Sequence, residues 1–106
     1  MNKWHTKDVD ELFEAILSLE NIEECYEFFE DACTIKEILD IAQRLKIAKM
    51  LKSGINYATI SKETGVSTAT ISRVSKCFEY GKGGYSKVIE RAEKRSGNDR
   101  PVTSEK

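Results

Sequence analysis

An all-α fold of about six helices is predicted by the sequence, on two observations. Apolar residues recur at helical spacing along most of the 106-residue chain, and no segment alternates as a half-buried strand does. Residues that favour helix caps or left-handed turns, such as Asn21 and Gly54, separate the apolar stretches. We therefore expect one helical domain over residues 1–95. The composition of residues 96–106 predicts a disordered C-terminal tail.

The first two predicted helices are acidic and amphipathic. The first begins near Asp8, where apolar residues start to recur at intervals of three and four. The second follows Asn21, a good N-cap residue, with Glu24 in the capping-box position three residues later. Residues 1–33 carry ten acidic residues and only two lysines. This part of the chain is therefore strongly negative.

The longest helix is predicted to begin after the capping box formed by Thr34 and Glu37. It should continue to Ser53, with Gly54 as its C-terminal stop. Its apolar residues cover more than one face, so we expect it to be buried from several sides. In so short a chain a second subunit is the natural source of one of those sides, which predicts a homodimer.

Two short helices then follow the pattern of a helix-turn-helix. Asn56 can cap the first, over residues 57–63. Ser67 can cap the second, over residues 68–78, after a turn at Gly65. The motif requires particular residue types at fixed positions. Six positions meet this requirement, namely Ile60, Ser61, Gly65, Val66, Ile71 and Val74.

The outward face of the second of these helices is the predicted DNA-binding surface. It comprises Ser67, Thr68, Ala69, Ser72, Arg73 and Lys76. The small residues at its N-terminal end would let the helix enter the major groove, where Thr and Ala can contact a thymine methyl group. Arg73 can bind guanine or a phosphate, and Lys76 a phosphate. Residues 34–95 carry thirteen Lys or Arg against six acidic residues, which is compatible with DNA binding but also with an ordinary solvated helix face.

Other functional classes lack support in the sequence. The three cysteines have no CxxC spacing and His5 is the only histidine, so we expect reduced cysteines and no metal site. Catalytic pairings and phosphate-binding loops are absent, so we expect no enzyme activity. The glycine-rich residues 81–84 are interpreted as a flexible break before a last helix at about residues 86–94. Without an apolar membrane span or a signal-peptide pattern, we expect a cytoplasmic protein.

Three segments resemble the Trp repressor superfamily and, more closely, the TrpR-like YerC/YecD family of Firmicutes. They are Gln43–Ala48, the helix end Leu51–Gly54 and the recognition segment Ala69–Arg73. The similarity spans about residues 5–92. It implies an intertwined all-α homodimer that regulates transcription, with two recognition helices addressing successive major grooves of double-stranded DNA.

The same resemblance implies a possible ligand pocket formed by Arg44, Arg73, Val74 and Cys77. In the Trp repressor, tryptophan lies between two arginines that correspond to Arg44 and Arg73. A glycine that leaves space for the ligand corresponds to Val74, and a serine that helps to bind its amino group corresponds to Cys77. We therefore expect a regulator, most simply a repressor, that needs neither tryptophan nor a cofactor. Arg44 would then form an ion pair with Asp40.

Two alternative functions remain open at this point. The acidic helices around Glu23, Glu24, Glu27 and Glu30 could form the contact face of a protein-interaction module. Alternatively, the chain could be an amino-acid-responsive repressor that requires a co-repressor. Binding of tryptophan or another small aromatic molecule would distinguish the second alternative from the main hypothesis.

Overall fold

The computed structural model of the protein describes residues 2–95, and over this range it is entirely helical apart from turns and connections. The helices are α1 (Lys7–Leu17), α2 (Ile22–Ala32), α3 (Ile35–Lys52), α4 (Tyr57–Thr64), α5 (Thr68–Tyr80) and α6 (Gly84–Arg95). The prediction of an all-α fold with about six helices is confirmed. The disordered tail predicted for residues 96–106 lies outside the described residues.

The N-termini of α2 and α3 are capped by the residues that the sequence predicts. The Asn21 side chain accepts a hydrogen bond from the Glu24 N–H at 2.9 Å. At the start of α3 the capping box is reciprocal: the Glu37 N–H donates to Thr34 Oγ1 at 3.0 Å, and the Thr34 N–H donates to Glu37 Oε1 at 2.8 Å. These bonds satisfy N–H groups that the first turn of a helix leaves without a partner.

The end of α3 is also set by local chemistry. Gly54 has a φ of 81°, in the left-handed region that glycine adopts without a steric cost. The Ile55 N–H donates to the Met50 carbonyl at 3.1 Å, and the Gly54 N–H to the Leu51 carbonyl at 3.0 Å. This pair of bonds is a Schellman motif, and the predicted stop at Gly54 is confirmed.

The first helix begins slightly earlier than predicted. It starts at Lys7 rather than Asp8, because Thr6 takes the N-cap position. Thr6 Oγ1 accepts a hydrogen bond from the Val9 N–H at 3.2 Å.

The connection between α5 and α6 is shorter than the break predicted at residues 81–84. The α5 helix continues to Tyr80 rather than ending near Phe78, and α6 begins at Gly84 rather than near Ser86. The backbone N–H of Gly81 still donates to a carbonyl of the last turn of α5, at 3.0 Å. Helical hydrogen bonding therefore continues into the first glycine of this segment.

The described residues group into two compact units, 2–40 and 41–95, and single-domain organisation stays a prediction. No residue of α1 or α2 is buried. The second unit has a core of apolar side chains from α3, α4, α5 and α6. It consists of Ile47, Ala48, Ile60, Ile71, Val74 and Ile89. No helix in the described part of the chain is long and apolar enough to cross a membrane.

Candidate nucleic-acid interface

The helices α4 and α5 pack together through the side chains that the helix-turn-helix pattern assigns to its interior. Ile60 of α4 and Ile71 of α5 are fully buried, and Val74, one turn further along α5, is 3% exposed. Because Ile71 and Val74 lie on one side of α5, the opposite side of the helix is directed away from the core.

The turn between the two helices depends on a left-handed glycine and on side-chain hydrogen bonds. Gly65 has φ and ψ values of 76° and 9°, and its N–H donates to the Ser61 carbonyl at 2.8 Å. The Ser61 hydroxyl donates to the Val66 carbonyl at 2.6 Å, and the Thr64 hydroxyl to the Ile60 carbonyl at 2.7 Å. Ser61 is one of the positions that match the helix-turn-helix pattern, but its hydrogen bond across the turn was not predicted from the sequence.

Both helices of the motif are capped as predicted. The Asn56 side chain accepts a hydrogen bond from the Thr59 N–H at 2.8 Å. Ser67 Oγ accepts a hydrogen bond from the Thr70 N–H at 3.2 Å. The Ser67 hydroxyl in turn donates a hydrogen bond to Thr70 Oγ1, also at 3.2 Å. The first turn of α5 is therefore held in place by Ser67, a residue that also belongs to the predicted DNA-binding surface.

Most of the predicted DNA-binding surface is accessible to solvent. Ser72 is half-buried, and the other five residues are exposed, namely Ser67, Thr68, Ala69, Arg73 and Lys76. Within residues 2–95, no ion pair involves Arg73 or Lys76. No carboxylate of the described residues therefore neutralises their charges. The surface combines small side chains at the start of α5 with two available cations one and two turns later.

Among the residues of the predicted ligand pocket, Val74 differs from the rest. Arg44, Arg73 and Cys77 are exposed, whereas Val74 belongs to the buried apolar cluster that also contains Ile47. The valine side chain thus occupies space inside the protein. Whether these four residues form a ligand site stays a prediction.

The ion pair expected between Arg44 and Asp40 is not formed. Instead, Lys36 Nζ lies 2.9 Å from Asp40 Oδ2. Both cations are four residues from the aspartate, so helical spacing permits either pair. The prediction was wrong because it considered only the C-terminal neighbour of Asp40.

Metal ligands do not cluster in the part of the chain that the structure describes. There, no group of three or more His, Cys, Asp or Glu side chains could hold a metal ion. Cys25, Cys33 and Cys77 are free thiols.

Comparison with known proteins links this fold to one family. The chain matches the family model described as Trp repressor protein over residues 7–93. It is 52% identical over 91 residues to the uncharacterised protein YerC of Bacillus subtilis (strain 168), covering 86% of this chain and 88% of YerC. A solved TrpR-like protein from Eubacterium eligens ATCC 27750 matches with a TM-score of 0.82 and 52% identity, covering 87% of this chain and 95% of that one. A candidate Trp repressor from Staphylococcus aureus gives 0.81 and 52%, covering 86% and 91% of the two chains. These matches confirm the resemblance indicated by the sequence motifs.

Proposed function

This chain belongs to the Trp repressor family, and we propose that it is a homodimeric transcriptional repressor that binds specific DNA sequences without requiring tryptophan. The family consists of regulators rather than enzymes. The observation that carries the proposal is the exposed face of α5, which is polar and cationic while its opposite face is anchored in the core. A recognition helix needs this combination to enter the major groove without losing its position on the protein.

The residues of α5 suggest a division of roles at the DNA. The Ser67 hydroxyl hydrogen is directed to Thr70, so Thr68 and Ala69 are the better candidates for contacts with base edges. Both are exposed, and both offer methyl groups that can contact the methyl group of thymine. Arg73 and Lys76 are suited to phosphate contacts, which set affinity and position, and Arg73 can also bind guanine.

Dimerisation is supported by the apolar surface of the first three helices. Eight large apolar side chains there are exposed in the single chain: Leu12, Phe13, Leu17, Ile22, Tyr26, Ile35, Leu39 and Ile41. Soluble monomers rarely leave so much apolar area in contact with water. A second copy of the chain would remove this surface from water, as expected for an intertwined homodimer.

Independence from tryptophan is supported by the position of Val74. Its side chain is packed among Ile47, Ile71 and the rest of the core cluster, where a glycine would leave space. Cys77 offers a thiol, which is a weaker hydrogen-bonding group than a serine hydroxyl. Isothermal calorimetry with tryptophan and other amino acids tests this part of the proposal. Saturable binding of tryptophan by the wild-type dimer would overturn it.

DNA binding is tested with sequences selected from a random duplex pool by the wild-type protein. Their affinity should then be measured between low and physiological salt for the wild type and for the Arg73→Ala, Lys76→Ala double variant. The slope of log affinity against log salt is negative, and each phosphate contact removed should reduce its magnitude by about 0.9. A double variant of Lys3→Ala and Lys7→Ala, which removes the same charge from exposed N-terminal positions, is the control and should bind as the wild type does.

Two results would contradict the proposal. If no sequence is enriched and the wild type shows no salt-dependent affinity for duplex DNA, the chain is not a DNA-binding regulator. Co-purification of a stoichiometric protein partner would then favour the interaction module. If selected sequences placed at a promoter raise reporter expression when the protein is present, the assignment as a repressor rather than an activator is wrong.

A further inference from the structure

The side of α6 that faces away from the core carries three cations. Lys87, Arg91 and Lys94 lie at i, i+4 and i+7, a spacing that places them on one side of the helix, and all three are exposed. We call them the α6 basic row. Ile89, which is 1% exposed, and Tyr85, which packs against the core cluster, lie on the opposite side of the helix. The row is therefore directed to solvent, while the other side of α6 holds the helix in place.

An open groove of about 370 Å³ runs along the row. It is lined by residues of α6 and of the connection before it, namely Gly83, Ser86, Lys87, Glu90, Arg91 and Lys94. Because these lining residues all belong to one short segment, the groove has no opposing wall. Sites for small molecules enclose most of the surface of the ligand, which this groove cannot do. It is better suited to an extended polyanion that lies along the helix.

The positive charge of the row is not neutralised by carboxylates of residues 2–95. The two ion pairs in that range join Lys36 to Asp40 and Lys52 to Glu90, so neither includes a member of the row. The second pair affects the groove, because Glu90 is the acidic residue among its described lining residues. Lys52 Nζ lies 3.9 Å from Glu90 Oε2 and partly neutralises this carboxylate. The cations of the row can therefore attract an anion with little opposition from Glu90.

The spacing of the row fits the phosphate backbone of a nucleic acid. From Lys87 to Lys94 the helix rises about 10 Å, at about 1.5 Å per residue. One strand of DNA carries about three phosphates over that length, because they are spaced about 3.4 Å apart along the axis. The three cations can therefore meet about as many phosphates of one strand.

The row also continues the positive charge of the predicted DNA-binding surface. Helices α5 and α6 belong to the same compact unit, and only residues 81–83 separate them. Residues 73–95 contain seven Lys or Arg against three Glu, and all seven cations are exposed. Exposed cations therefore recur from the second half of α5, through the connection, to the end of α6.

We propose that the α6 basic row binds phosphates of the DNA backbone beside the sequence that α5 contacts in the major groove. This inference rests on the DNA binding of the proposed function and lengthens the segment of duplex that the protein contacts. Backbone contacts carry no sequence information directly, but they raise affinity and fix the position of the protein on the duplex. The wild type should therefore bind a duplex with flanking base pairs more tightly than one that ends at the selected sequence.

Two duplexes distinguish flanking contacts from those of α5. Both carry the same selected sequence, and the longer one adds about 10 base pairs, one helical turn, on each side. The row variant combines Lys87→Ala, Arg91→Ala and Lys94→Ala. On the longer duplex, the loss of three contacts should reduce the magnitude of the slope of log affinity against log salt by about 2.7, and the affinity at low salt by about tenfold or more. On the shorter duplex the row variant should bind as the wild type does.

Two control variants separate phosphate contact from net charge. The first removes three exposed cations outside residues 41–95 and should bind both duplexes as the wild type does; it carries Lys3→Ala, Lys7→Ala and Lys36→Ala. The second keeps the charge of the row and carries Lys87→Arg, Arg91→Lys and Lys94→Arg. It should also bind as the wild type does, because a phosphate contact requires a cation rather than one particular side chain.

The outcomes of this experiment separate the inference from the proposed function. The inference is overturned if the row variant keeps the wild-type salt slope on the longer duplex while the Arg73→Ala, Lys76→Ala variant loses affinity, and the proposed function then stands. An equal loss on both duplexes would also overturn it, because the row would then act within the sequence that α5 contacts. Wild-type protein that binds neither duplex would contradict the proposed function itself.

Two further measurements keep the row variant interpretable. Sedimentation should show the row variant in the same oligomeric state as the wild type; dissociation of the variant alone would assign the row to a subunit interface and overturn the inference. If the row variant fails to fold by circular dichroism, the single variant Arg91→Ala replaces it. Its salt slope on the longer duplex should then be smaller in magnitude by about 0.9, and an unchanged slope would again overturn the inference.

Discussion

Replacement of Gly65 by alanine tests how far a single backbone conformation determines the helix-turn-helix. Gly65 has a φ of 76°, and a Cβ atom built there would meet no other atom within 4 Å. The substitution therefore adds strain without a collision. The left-handed conformation destabilises a folded residue that has a Cβ by about 1–2 kcal/mol. Alanine also reduces the conformational freedom of the unfolded chain, which offsets about 0.4–1 kcal/mol of this loss. We expect a net loss of about 1 kcal/mol in the free energy of unfolding.

Urea unfolding followed by circular dichroism measures this loss. Protein concentration must be the same for all variants, because the stability of the proposed homodimer would depend on it. In thermal unfolding the same change corresponds to a melting temperature about 4–8 °C lower. Gly65→Asn should lose less than Gly65→Ala, since asparagine adopts the left-handed conformation more readily than alanine does.

The matched control for Gly65 is another glycine with open space around it. Gly84 is the first residue of α6, has no positive φ, and would also place a Cβ more than 4 Å from any other atom. Gly84→Ala should leave the protein equally stable or raise its free energy of unfolding by up to about 1 kcal/mol. If Gly65→Ala is as stable as Gly84→Ala, the left-handed conformation does not carry the cost assigned to it.

Three further substitutions separate core, cap and surface contributions, each measured by urea unfolding. Ile71→Ala should lower the free energy of unfolding by about 2–5 kcal/mol, because it leaves a cavity beside fully buried neighbours; a loss below about 1 kcal/mol would mean that this core is not tightly packed. Ser67→Ala should lower the free energy of unfolding by about 1 kcal/mol, because the N-cap of α5 is lost. The control is Thr68→Ala at the neighbouring exposed position, which should change the free energy of unfolding by less than about 0.5 kcal/mol. Equal effects of the two substitutions would argue against a role for the cap. Lys36→Ala removes the ion pair with Asp40 but should lower the free energy of unfolding by less than about 0.5 kcal/mol, because both side chains are solvent-exposed. A larger loss would show that the pair contributes to stability.

Helix starts were predictable because their chemistry is local. Asn21, Thr34, Asn56 and Ser67 each accept a hydrogen bond from the N–H three residues later, a contact that requires no tertiary structure. The end of α5 was less predictable. A run of glycines suggests a break, but the hydrogen bond donated by the Gly81 N–H extends the helical bonding to the edge of that run.

The candidate site shows the same limit. The six side chains of the predicted DNA-binding surface could be selected from periodicity, because residues opposite Ile71 and Val74 must lie on the outer side of one helix. The bond from the Ser61 hydroxyl to the Val66 carbonyl could not, since it depends on how the chain reverses at Gly65. Similarly, spacing alone offered Asp40 two possible partners.

The distribution of buried residues suggests a link between the proposed DNA binding and the proposed dimerisation. Residues 41–95 have a core of their own, whereas none of the described residues before Ile41 is buried. Helix α5 is therefore anchored within its own unit, whereas α1 and α2 contain no buried residue. In the proposed homodimer, the second copy stabilises α1 and α2 and also supplies the second recognition helix. When the protein is diluted, helix content and cooperative DNA binding should therefore both fall. Both losses should occur at the same protein concentration, which is the dimer dissociation constant.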